Sequence, residues 1–69
     1  MAESVYKVIE IIGTSPESWE KAAAAAVARA SKTLRDMRVA EVVTQDLVIE
    51  DGKVSGYRTK LHVSFKYED

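Results

Sequence analysis

The chain has 69 residues, 46% hydrophobic and 30% charged, with no cysteine, one histidine and a formal net charge of −1 from 10 basic and 11 acidic groups. Without thiols it forms neither disulfides nor thiolate zinc sites, one imidazole excludes a histidine-rich metal centre, and the near balance of charge argues against a field aimed at nucleic acid or an anionic membrane. So short a chain seldom draws enough stability from one core, and composition leaves self-association or a hard cation held by carboxylates as the supplement.

The whole chain, 1–69, reads as one domain. Its start, Met1-Ala2-Glu3-Ser4, lacks the basic and apolar regions of a signal peptide, and no apolar run reaches membrane-spanning length, so a cytoplasmic location is expected. Val5 to Ile12 (VYKVIEII) is rich in β-branched and aromatic types and predicts a strand with at least partial cover on both faces, ended by Gly13. A helix start follows. Pro16 suits the first helical position, which makes Ser15 the expected N-cap, and Glu17 and Glu20 lie near the positive end of the dipole.

Trp19, Ala22, Ala23, Ala26, Val27, Ala30, Leu34 and Met37 recur at three- and four-residue spacing, predicting an apolar stripe on a helix that ends between Arg35 and Arg38. Trp19, on the stripe, reads as a core residue ahead of a ligand platform. The run Ala22 to Ala26 favours helix, and Ala24, Ala25 and Ala28 put small side chains off the stripe. These serve either as plain helix formers or as a surface for close approach by another subunit.

Val39 to Ile49 (VAEVVTQDLVI) predicts a strand whose alternation breaks. Ala40 and Val42 fall on one face and Val43, Leu47 and Ile49 on the other, so a bulge or bend is expected at Val42-Val43. Asp51-Gly52 is a type I′ hairpin signal. In the last strand Tyr57, Thr59, Leu61, Val63, Phe65 and Tyr67 share the face that meets the helix, opposite Arg58, Lys60, His62, Ser64 and Lys66. The fold class is α+β: a β-α-β-β protomer whose three-stranded antiparallel sheet partly wraps one helix.

No catalytic constellation stands out. His62 lies between Lys60 and Ser64 on a polar strand face, which suits solvation or cross-strand pairing better than general-base chemistry. The acids show no calcium-loop spacing. Glu10, Glu41, Asp46 and Glu50 are the strand and turn carboxylates able to join a cation site between subunits, or else to pair with ordinary cations. Arg58, Lys60, His62 and Lys66 form a basic strand face without interleaved aromatics, better matched to acids such as Glu41 and Asp46 than to a phosphate backbone.

Four segments in order, VYKVIEIIGTSPESW, ARASKTLRDMR, AEVV and YRTKLHVSFKYE with its V-x-F-x-x-E ending at Val63, Phe65 and Glu68, resemble the dodecins over nearly the whole chain. The resemblance implies a hollow homododecamer without enzymatic activity that stores riboflavin or FMN, stacked in pairs between symmetry-related tryptophans at subunit interfaces. It places the flavin at Val39 and Arg58, with Gln45 as a neighbouring position. Flavin-binding members carry an aromatic residue, typically Trp, where this chain has Val39, and a ring-bonding Gln where it has Arg58. The alternative implied is a flavin-free shell of the same kind that binds Ca2+ or Mg2+ through carboxylates.

Overall fold

The computed structural model describes residues 3–66, and the expectations placed on Tyr67 and Glu68 lie outside them. Strand β1 (Tyr6–Ser15) leads into helix α1 (Trp19–Ala30), followed by β2 (Met37–Glu50) and β3 (Lys53–Lys66). The sheet order is β1-β3-β2, and both pairs are antiparallel. This is the predicted β-α-β-β, α+β protomer.

The helix is seated by a glycine. Gly13 is buried within β1, opposite Thr59, and a Cβ built on it would stand 2.0 Å from the Ala22 carbonyl oxygen and 2.9 Å from the Ala26 Cβ. Gly13 therefore does not end the strand, as its sequence context suggested. It stays in the ladder and lets the helix backbone come down onto the sheet.

Because β1 remains paired as far as Ser15, the helix starts later than Pro16. Its N-cap is Ser18, in extended backbone, with its hydroxyl accepting from the Lys21 N–H at 3.0 Å. Ser15, the expected cap, instead accepts from the Glu17 N–H at 3.0 Å and closes the turn out of the strand. Lys21 and Glu17 form an exposed ion pair one turn apart.

The helix also stops sooner than predicted, at Ala30 rather than Arg35 to Arg38. The hydroxyls of Ser31 and Thr33 donate to the carbonyls of Ala28 and Ala30 at 2.8 and 3.4 Å, competing with the helical ladder. Asp36 then takes a left-handed φ of 58°, where the chain turns into β2. Met37 thus opens a strand, while Ala22, Ala23, Ala26, Val27 and Ala30 keep the apolar stripe, each at least partly buried.

Trp19 ties the helix start to both neighbouring strands. Its indole N–H donates to the Asp46 carbonyl at 3.0 Å, its ring meets Tyr57 edge-on at 5.2 Å, and its own carbonyl accepts the Thr59 hydroxyl at 3.0 Å. That last bond satisfies a threonine with 0% exposure in the core beside Leu61 and Val63.

In β2 the predicted irregularity is present: the register shifts between Val42 and Thr44, so Val43 is the extra residue. Further shifts fall at Met37/Val39 and Val48/Ile49. At the hairpin, Asp51 and Gly52 both have positive φ, 52° and 74°, as a type I′ turn requires.

Gly13→Ala should lower unfolding free energy by at least about 2 kcal/mol, since the added methyl meets backbone and the helix must shift. Chemical denaturation read by Trp19 fluorescence checks this, and an unchanged midpoint would show that the close seat is not required.

Candidate functional site

Among the described residues nothing covers the face of the sheet turned away from α1, and the polar side chains of β3 lie on it. Antiparallel pairing builds it in rows across β1, β3 and β2: Val8, Ser64 and Val39; Glu10, His62 and Glu41; Ile12, Lys60 and Thr44; Thr14, Arg58 and Asp46. Val8 and Ile12 are exposed on this side, so the described residues of the single chain do not supply the expected second cover of the first strand.

Two ion pairs organise the charged rows. Arg58 donates from Nε and Nη2 to the two carboxylate oxygens of Asp46, both at 2.8 Å, in a bidentate pair. These hydrogen bonds hold the Asp46 carboxyl below its ordinary range and raise the Arg58 guanidinium further. His62 Nε2 stands 2.9 Å from Glu10 Oε2, and that hydrogen bond, with the positive charge of Lys60 adding to it, lowers the Glu10 carboxyl. Glu41 faces His62 from the other side in the register.

The structure separates the residues expected at a flavin site. Val39 is 62% exposed at the apolar end of the face, where its carbonyl accepts from the Ser64 hydroxyl at 3.4 Å. Arg58 is six residues along β3 from Ser64, about 20 Å at strand spacing, and its donors are committed to Asp46. Gln45 pairs with the buried Thr59 and belongs to the helix side of the sheet. One protomer therefore does not bring the three together.

Of the cation candidates, Glu10 and Glu41 flank His62, Asp46 is held by Arg58, and Glu50 sits at the hairpin end opposite Lys53. Among the described residues no three His, Asp or Glu side chains converge well enough to hold an ion. No described helix is long and apolar enough to cross a membrane.

Sequence reading missed two features. The Glu10–His62 pair joins residues 52 apart, and only the strand register reveals it. An open apolar groove of about 590 Å3 runs between β1 and the C-terminal half of α1, with Thr33 and Leu34 beyond the helix end also lining it.

A family model described as Dodecin matches residues 5–68. The chain belongs to the dodecin family. Among curated dodecins it is 59% identical over 63 residues to the calcium dodecin of Mycobacterium tuberculosis, covering 91% of this chain and 89% of that one. It is 43% identical over 65 residues to the dodecin of Thermus thermophilus, covering 94% of each. The dodecin from Streptomyces coelicolor superposes with a TM-score of 0.92 at 39% identity, over 100% of this chain and 99% of that one. The crystal structure of the M. tuberculosis calcium dodecin, described as calcium-chelating with a novel calcium-binding site, superposes with a TM-score of 0.83, covering 94% of this chain and 93% of that one.

The sign of the Asp46 shift sets a pH dependence. Because its folded pKa lies below the unfolded value of about 3.9, its contribution is present above that value and is lost as pH falls through the folded pKa. Asp46→Asn should therefore be less stable than the parent near pH 6, with the gap closing toward pH 2. Denaturant midpoints across that range measure it, and a gap independent of pH would assign the loss to packing.

Proposed function

We propose that the protein is a non-enzymatic binding and storage protein that works as a homododecamer, with a divalent cation, Ca2+ first and Mg2+ second, held by carboxylates from more than one copy. Its partners are its own copies and this small ligand, with neither nucleic acid nor membrane among them, and its place is the cytoplasm.

The observation that carries the assembly is the small core. Among the described residues the buried apolar side chains are Ala22, Leu61 and Val63, while Val8, Ile12, Val39, Val42, Leu47 and Ile49 are exposed. The helix lies over β1 and β3 and barely touches β2, so both the bare face and the inner side of β2 need cover that one chain does not supply.

The cation reading follows from the oxygen chemistry of the same face. Ca2+ takes six to eight oxygen ligands, and Glu10 and Glu41 stand in one row with no third carboxylate converging on them among the described residues. Copies meeting on this face bring several such pairs together, and a calcium dodecin as similar as 59% identical supports Ca2+. Riboflavin or FMN is the second reading, supported by family membership and the row in which exposed Val8 and Val39 flank half-buried Ser64. Valine lacks the π-face whose stacking is worth about 1–3 kcal/mol per base, so a stacked pair missing both platforms loses up to several powers of ten in affinity.

Native mass spectrometry should give a multiple of 7.6 kDa near twelvefold, and a monomer would defeat the assembly. Ca2+ at about 100 times its dissociation constant should add about 2.7 kcal/mol of stability, seen as a rise in Tm that a chelator reverses. No change in Tm would overturn the cation reading. Riboflavin fluorescence should stay unquenched with the parent and be quenched by Val39→Trp, whereas quenching by the parent at micromolar concentration would favour the flavin reading.

A further inference from the structure

The charged row at the middle of the bare face holds more than an ion pair. Glu10, His62 and Glu41 are direct partners across β1, β3 and β2, so their side chains leave the sheet on the same side. Cross-strand partners of this kind hold their Cβ atoms about 4.5–5.5 Å apart. His62 Nε2 stands 2.9 Å from Glu10 Oε2, with the side chains 39% and 54% exposed, so solvent reaches both. Glu41 has no ion-pair partner among the described residues. The rows on either side, Val8-Ser64-Val39 and Ile12-Lys60-Thr44, add one charge, the ammonium of Lys60. Around a neutral imidazole, two carboxylates against one ammonium leave a negative balance.

The spacing and the donor types both suit a metal ion. Zinc binds histidine nitrogen and carboxylate oxygen at about 2.0–2.2 Å. Two donors about 2.05 Å from one ion stand about 2.9 Å apart when they meet at a right angle, and about 3.3 Å apart at the tetrahedral angle. The Glu10–His62 pair already has the first of these separations. An ion between them takes the place of the proton in their hydrogen bond, which is exposed and contributes little by itself. Nδ1 then carries the imidazole proton. Imidazole suits Zn2+ and Ni2+, whereas Ca2+ and Mg2+ take oxygen.

We propose that Glu10 and His62 form a half-site for a first-row transition-metal ion, Zn2+ or Ni2+, held by His62 Nε2 and the Glu10 carboxylate, with Glu41 of the same row as the next donor to close on it. This rests on the cation-binding reading of the face and goes beyond it by naming a second class of ion and the nitrogen that selects it. One protomer supplies two donors that already meet, and no three converge among the described residues. Water or a carboxylate of another copy completes the shell. The row then sorts ions by ligand type: its carboxylates serve Ca2+, and the imidazole adds affinity only for an ion that accepts nitrogen.

His62 is the sole histidine, so in untagged protein its ring signals report this site alone. In proton–nitrogen correlation spectra Zn2+ should shift the His62 Nε2 resonance, and Ca2+ at the same concentration should leave it in place. An imidazole indifferent to Zn2+ would overturn the proposal. Calorimetric titration gives a second reading: His62→Gln and Glu10→Gln should each weaken Zn2+ binding at least about tenfold. His62→Gln should also keep the parent's Ca2+-dependent rise in Tm. Loss of the Zn2+ and Ca2+ responses together in His62→Gln would assign the effect to a disturbed face and overturn the nitrogen ligand. An absent Ca2+ response in the parent, with the imidazole still shifted by Zn2+, would remove the calcium reading and leave this one standing.

Discussion

The close seat of α1 on Gly13 is the constraint from which the rest of the architecture follows. With the Ala22 carbonyl where a Cβ would be, the facing helix surface has to be alanine, since larger side chains would lift the helix from the sheet. A helix so close and so narrow covers β1 and β3 but not β2, and it encloses a core of only a few side chains. Trp19 compensates at one end. Its three interactions, with Asp46, Tyr57 and Thr59, hold the helix start across the two strands of the long hairpin.

The small core of the single chain is the basis for placing the proposed function between chains. The bare face carries its charges in ordered rows, with Glu10 bonded to His62 and Asp46 to Arg58, and its apolar groups at Val8 and Val39 at one end. The ion pairs are exposed and contribute little to stability in the protomer. Their effect is to fix side-chain direction, which gives the face a defined pattern of charge.

Membership of the dodecin family joins these observations, and two positions then bear on the ligand. At Val39 the surface is aliphatic, giving contact area without an aromatic plane. At Arg58 a charged fork is satisfied by Asp46, leaving it a poor partner for a neutral ring. Neither position offers a flat π-face or a free neutral hydrogen-bonding group.

Local signals in the chain were enough for the element order, the type I′ turn at Asp51-Gly52, the bulge at Val43 and the buried face of β3, because each depends on the alternation or backbone preference of a few adjacent residues. The family, too, was legible in the junctions. The ends of α1 were not: Pro16 marks a helix start, but pairing of Ser15 with Tyr57 keeps the chain in the sheet, and Ser31 and Thr33 close a helix whose apolar spacing continues to Met37. Nor could the sequence show that Gly13 is a seat rather than a break, that Glu10 meets His62, or that Gln45 lies on the other side of the sheet from Val39 and Arg58. Those outcomes depend on strand register and on where one backbone rests against another, and both are settled by contacts between residues far apart in the chain.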